Sequence, residues 1–425
     1  MPRSLKTVVL AYVLTAWSLP ANAQLLILSS SELISGADVS SFQLTHGGTR
    51  VVYRGDLIAD GVFELFSTST SAGAPQLKLS TGALVNGDVF SDFQLTADGS
   101  RVVYRGDLAT DGLSELYGAT TQIPGSQVAL NSPPLPETDV FSDYQITPTG
   151  RVVYRSDLAA KGVTAFYGAS LSVNGSQVGL AFSSLPEADV LNYQLTPDGN
   201  RVVYRGNLVT DGVSELYSAS TTSNGTQINL ISTTLAGADV SDYQITPNGS
   251  RVIYRGDLVT DNQFAIYSSS TDASGTQINL SSTTLPGADI SDFQVTPNGS
   301  RVIYRGDLVV DGVSALYSAS STASGTQIGL STTDLTGAEV IDFQLTPDGS
   351  RVVYQGDLTT GNQFDLYSAS TTASGTQVKL NNALSGPDDW IGDIQISADG
   401  KSLVYLVGTT TDPLDETKFV GKELF

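Results

Sequence analysis

Carboxylates are the reactive groups this chain holds in abundance: 43 Asp and Glu stand against 21 Lys and Arg, with one His and no Cys. Two carboxylates in unlike surroundings can cleave a glycosidic bond, one as acid and the other as nucleophile or base. Loops rich in Asp can also ligate calcium, which takes about six to eight oxygens. The missing residue types exclude more. Without Cys there is no thiolate zinc site, no thiol nucleophile and no disulfide framework. One His cannot supply a poly-His metal site, and it argues against a Ser-His-Asp triad. An acidic surface repels phosphate, so nucleic acid is not an expected partner.

The sharpest local constellation lies near the C-terminus. Trp390 is the only tryptophan beyond residue 23, and it follows Asp388 and Asp389. Asp412, Asp415 and Glu416 fall in a stretch around 409–420 that is longer than its counterparts elsewhere. An aromatic ring among carboxylates suits a cation or a sugar ring. These six residues form the candidate binding site. The competing reading is plain drift, because end units of a repeat array tolerate atypical sequence.

What positions these residues is a repeat that fills the rest of the chain. Arg50, Arg101, Arg151, Arg201, Arg251, Arg301 and Arg351 each open a copy of a string close to RVVYRGDL, 50 or 51 residues apart, and a degenerate eighth copy begins at Lys401. Each unit holds four short segments rich in β-branched and aromatic residues. In the sixth unit these are 293–296, 301–308, 315–318 and 326–330. Thr296-Pro297-Asn298-Gly299 between the first two is a turn: Pro presets φ, Asn tolerates the next position and Gly accepts positive φ. No segment shows the 3.6-residue apolar period of an amphipathic helix. The fold class is therefore all-β.

Units of about 40–50 residues with four strands each define a β-propeller. The expected architecture is a single eight-bladed propeller, with seven blades over 38–381 and strands one to three of the eighth within 390–425. The eighth copy stops one strand short. Ala23 to Leu28 matches the fourth-strand segment Gly275 to Leu280, so residues 24–30 are expected to complete the last blade and close the ring.

The repeats resemble the TolB-type propeller repeat: an apolar strand, Pro-Asp-Gly, a basic residue, an apolar-aromatic strand, then Glu-Leu-Tyr. Here these are Pro197-Asp198-Gly199, Arg201-Val202-Val203-Tyr204 and Glu215-Leu216-Tyr217, and the likeness covers residues 24–425. It implies the propeller fold. TolB itself is a periplasmic, partner-binding protein with fewer blades and an additional N-terminal domain, so its particular partners are not implied.

Residues 1–23 carry a separate message. Arg3 and Lys6 precede an apolar stretch, 7–19, that ends in Pro20-Ala21-Asn22-Ala23. This describes a secretory signal peptide cleaved after Ala23 and predicts a periplasmic or secreted product without stable membrane insertion.

Most of the repeated charges have an architectural reading. If Thr96 faces Arg101, then Asp92 faces Arg105, and the same count pairs Asp143 with Arg155, Asp242 with Arg255 and Asp292 with Arg305. Arg-Gly-Asp occurs at Arg54, Arg105, Arg255 and Arg305. It ends a strand in each case, so it is read as structure rather than as an adhesion motif. Gln43, Gln94, Gln145, Gln194, Gln244, Gln294, Gln344 and Gln395 recur in the first strands and are expected to hydrogen-bond between blades. Asp60, Asp111, Asp211, Asp261, Asp311 and the group Asp239, Asp289 and Glu339 crowd one set of loops, read as a solvated acidic face rather than a metal site. The Asp–Arg pair is altered in the seventh, eighth and first repeats, where Asp342 faces Gln355, Asp393 faces Leu406 and Ser41 faces Arg54.

These features predict a monomeric, non-catalytic scaffold that binds a protein or glycan partner, one bearing positive charge, through its acidic loop face. No cofactor and no metal are expected. A carboxylate-dependent, glycosidase-like hydrolase with its site on the same face is the alternative.

Overall fold

The computed structural model describes residues 36–71, 73–82, 87–131, 136–181, 183, 185, 189–210, 212–282, 285–332, 337–359, 363–382, 384, 389–409 and 418–423. Residues 1–23, read as a leader, and 24–30, read as a closing strand, lie outside these residues. Every regular element among them is a strand. Seven antiparallel sheets have four strands and the eighth has three, each with its strands in chain order. The sixth sheet is typical: Ile290–Val295, Arg301–Gly306, Ala315–Ser320 and Ile328–Gly329. The chain forms two compact units, Met1–Val190 with Asp198–Val202 and Ala219–Gln227, and Leu191–Pro197 with Val203–Ser218 and Ile228–Phe425.

The second strand of each sheet explains the packing. Its apolar residues run without alternation, which requires cover on both faces. Val302, Ile303 and Tyr304 are all wholly buried. Val302 and Tyr304 pack with Ile253, Ile266 and Leu280 of the fifth sheet. Ile303 points the other way, onto Val340, Val352 and Tyr354 of the seventh. Consecutive sheets within a unit therefore stack face on face, each strand two contributing to two cores.

Across strands two and three, seven stacked aromatic pairs meet among the described residues, including Tyr254–Tyr267 at 5.6 Å and Tyr304–Tyr317 at 5.8 Å between centroids. Such pairs add about 0.5–1.5 kcal/mol beyond the area they bury. Burial raises the phenols: Tyr267 and Tyr317 are pushed up to about 12, and Tyr104, Tyr154, Tyr304 and Tyr354 lie higher still. The sign of the linkage follows. Above about pH 10 the unfolded chain releases phenolic protons that the folded chain keeps. Stability is complete below that pH and falls as pH rises. In a spectrophotometric titration the native phenols should stay protonated past pH 10 and then ionise together as the protein unfolds.

Polar atoms join the same sheets. The glutamine that begins strand four reaches back to the preceding sheet. Gln327 Nε2 donates to Ser282 O at 3.0 Å, and its Oε1 accepts from Ser282 N at 2.7 Å and from the Tyr304 hydroxyl at 2.8 Å. Gln127, Gln277 and Gln377 repeat the arrangement. Gln327→Ala removes these bonds and should cost about 0.5–1.5 kcal/mol in denaturant unfolding, since water reaches the Ser282 groups. A variant as stable as wild type would show the clamp to be idle.

The eighth sheet departs from the expectation. Its third strand is Lys418–Glu423, and Tyr405 pairs with Val420, 15 residues on, where Tyr254 pairs with Tyr267, 13 on. Its second strand, Ser402–Thr409, has eight residues where the others mostly have six. Of the stretch read as an enlarged loop, residues 409 and 418–420 are strand, and 410–417 lie outside the described residues.

Candidate functional site

The arginine that ends strand two was expected to answer an aspartate in its own hairpin. It does so in three sheets: Arg105–Asp92 at 2.7 Å, Arg155–Asp143 at 2.6 Å and Arg305–Asp292 at 3.2 Å. In the fifth sheet the register pairs Asp242 with Arg255, but Arg255 lies 3.7 Å from Asp289 of the next sheet and over the Phe264 ring. The expected Asp242–Arg255 ion pair is therefore corrected. Asp242 instead caps its own strand by accepting from Tyr243 N.

A second role was not legible in one repeat alone. The arginine donates to a carbonyl at the start of the next sheet: Arg105 to Val140 O at 2.8 Å, Arg205 to Val240 O at 3.1 Å and Arg305 to Val340 O at 2.9 Å. Arg54, Arg155 and Arg255 reach Val89, Val190 and Ile290 in the same way. Arginine can serve a carboxylate and a carbonyl together because its fork carries five donors. The signal available beforehand was that Arg205 persists opposite Asn192, where no aspartate answers it.

The rest of Arg-Gly-Asp is equally occupied. A Cβ on Gly306 would come within 2.3 Å of Asp289 O, so the backbones approach here too closely for a side chain as they stand. Asp257 is 4% exposed and accepts from Asp239 N at 2.6 Å and Asn262 N at 3.1 Å. Asp239 and Asp289, assigned above to the acidic face, are half-buried and also bond backbone: Asp289 accepts from Phe264 N at 2.8 Å, and Asp239 from Ser214 N. Asp60, Asp111, Asp261, Asp311 and Glu339 are exposed. Asp211 lies outside the described residues.

Four of the eight first-strand glutamines join neighbouring sheets as expected: Gln43 to Phe93 O at 2.7 Å, Gln94 to Tyr144 O at 3.1 Å, Gln244 to Phe293 O at 3.0 Å and Gln294 to Phe343 O at 3.3 Å.

Of the six candidate site residues, Asp388, Asp412, Asp415 and Glu416 lie outside the described residues. Asp389 and Trp390 begin the first strand of the eighth sheet, their backbones paired with Thr409 and Gly408. Asp393 does not face Leu406; Gly392 does, and the register slips between Gly392 and Gln395. Asp393 sits in that irregularity with φ of 47°.

The slip borders a cavity. About 460 Å³ opens between the seventh and eighth sheets, lined by Gln294, Asp342, Phe343, Gln344, Gln355, Gly392 and Asp393 among others. Gln355 takes the place of the recurring arginine and donates to Ile391 O at 3.0 Å, preserving the link to the next sheet. It is too short to reach as an arginine does. Gly392 faces Leu406 as Asp342 faces Gln355, and it contributes no side chain there. Two exposed carboxylates, Asp342 and Asp393, remain on the lining. Among the described residues, no group of three or more His, Asp or Glu is placed to hold a metal ion.

No protein-family model matches the chain, and no curated protein matches it. Among solved structures, a prolyl endopeptidase is 13% identical with a TM-score of 0.37, the match covering 89% of this chain and 55% of that one. Prolyl oligopeptidase B from Galerina marginata, without ligand, is 12% identical with a TM-score of 0.38, covering 89% and 56%. The chain thus spans little more than half the length of those peptidases, and likeness of that degree says nothing of activity.

The two roles of the arginine are separable. Asp292 is 44% exposed in its side chain, so its ion pair is worth about 0–1 kcal/mol. Losing the guanidinium also strips Val340 O and Ile341 O of their donor, at about 1–3 kcal/mol. Arg305→Ala should therefore destabilise more than Asp292→Asn in urea unfolding. Equal losses would mean that the inter-sheet bond contributes nothing.

Proposed function

We propose that this chain is a non-catalytic scaffold, a closed eight-bladed propeller of TolB-type repeats, which binds a positively charged protein or glycan partner through its acidic loop face. One observation carries the reading. The repeated groups able to do chemistry are largely taken up in joining sheets: arginines, first-strand glutamines and half-buried aspartates have backbone partners. What faces solvent is carboxylate on the loops, Asp60, Asp111, Asp261 and Asp311, and a cavity that also carries carboxylates.

Closure is supported by the first sheet. Phe42 is 53% exposed and Leu44 47%, whereas Phe93 and Phe293, the same repeat position as Phe42, are 2% and 4% exposed against their preceding sheets. A closing eighth blade would give Phe42 the cover its counterparts have. The apolar leader supports export, with the leader removed after Ala23.

Deleting 24–29 from the processed protein tests closure, since it would open a strand edge and the ring. The truncation should melt much lower or aggregate; an unchanged, monomeric, cooperative melt would refute it. Affinity capture from the envelope of the source organism tests the function. Partners should be captured at low salt and released toward physiological ionic strength, as screening shortens to about 8 Å. Salt-independent capture would overturn the acidic-face reading, and turnover of chromogenic glycosides that is lost in Asp342→Asn would replace it with a hydrolase.

A further inference from the structure

The cavity between the seventh and eighth sheets is defined by what the other sheets put in the same place. In the sixth, Arg305 lies between Asp292 of its own hairpin and the carbonyls of Val340 and Ile341 on the next sheet. The second and third sheets seat Arg105 and Arg155 likewise, against Asp92 and Asp143 and the carbonyls of Val140 and Val190. The repeat position of Asp342 therefore binds a guanidinium in the second, third and sixth sheets; in the fifth, Arg255 turns to Asp289 instead.

In the seventh sheet the aspartate remains and the arginine does not. Asp342 pairs in register with Gln355, and its Oδ1 accepts only a neighbouring backbone N–H, from Phe343. Gln355 carries no charge and is committed to Ile391 O. Gly392, which faces Leu406 as Asp342 faces Gln355, contributes no side chain, and the slip after it puts Asp393 on the same lining. The result is two carboxylates and three glutamines, Gln294, Gln344 and Gln355, around about 460 Å³. Ligand pockets run from about 300 to 1,000 Å³, so the space admits more than a lone ion.

We propose that this cavity binds a guanidinium group brought by a ligand, which takes the place vacated where Gln355 replaces arginine. Asp342 supplies the charge-assisted partner and Asp393 a second carboxylate, while Phe343 and Tyr354 line the apolar side. The inference deepens the acidic-face reading by naming the chemistry that one sector of it would recognise. The guanidinium could belong to a free small molecule or to an arginine side chain of a protein.

Calorimetry on the full chain tests it with N-acetyl-L-arginine amide as probe and the uncharged isostere N-acetyl-L-citrulline amide as control. The arginine amide should bind and the citrulline amide should not. Gln355→Arg fills the cavity with the chain's own guanidinium, so it should abolish probe binding while raising the melting temperature. Asp342→Asn, which keeps shape and removes charge, should weaken binding about tenfold or more. A peptide with arginine at its centre distinguishes the sources: tighter binding than the amide identifies a protein, and weaker binding a small molecule. No binding to wild type, equal binding of the citrulline amide, or full binding by a folded Gln355→Arg protein would each overturn the proposal. Because the probes are small and defined, such a failure is separate from failure of partner capture, which depends on the rest of the acidic face.

Discussion

A strand covered on both faces cannot hydrate its polar atoms, so each must find a partner on the neighbouring sheet or carry the cost of having none. That constraint organises this protein. The strand-two arginine answers a carbonyl 35 residues ahead, the first-strand glutamine answers one 50 ahead, and the strand-four glutamine answers backbone 45 behind. Each copy of the repeat is thus a partner of the next copy as well as a sheet in its own right. A substitution in one copy disturbs two sheets, which is why the same residue types recur at these positions throughout the chain.

Exceptions inside the chain show how the constraint can be met differently. In the fifth and sixth sheets the arginine opening strand two donates to a strand-three serine, Ser268 or Ser318, whose hydroxyl donates onward to Ser321 O or Thr371 O of the next sheet. The second and third sheets have Gly118 and Gly168 there instead. Without a serine in the way, Arg101 and Arg151 reach the next sheet directly, at Leu171 O and Thr221 O. Ser156 replaces the glycine of Arg-Gly-Asp in the third sheet, and its hydroxyl donates to Asp139 O at 2.8 Å. The bond that matters is retained and the atoms supplying it change.

The seventh and eighth sheets keep the inter-sheet bond but not the charge. Gln355 still donates to the next sheet, as a neutral amide. An aspartate that elsewhere faces a cation is left facing a cavity instead. Binding surfaces arise naturally at such a place, because the scaffold stays joined while one of its internal ligands is withdrawn.

The sequence by itself determined the strands, the sheet order and the hairpin registers. These depend on local chemistry: turn residues set where a strand reverses, and the side-chain period of two then dictates which residues face each other, as with Asp292 and Arg305. Glutamine-mediated joining was legible too, because a buried amide repeated at one position has to be satisfied by its neighbours. The candidate site was legible only as a sector. Reading eighth-repeat residues by count matched Asp393 to Leu406, but one slip in the strand put Gly392 there instead. Tertiary structure alone decided that Arg255 turns to Asp289, that Asp239 and Asp289 bond backbone as well as meeting solvent, and that a cavity lies where glutamine stands in place of the arginine. A side chain with several donors or acceptors chooses among partners by distance in space, and those partners lie tens of residues away.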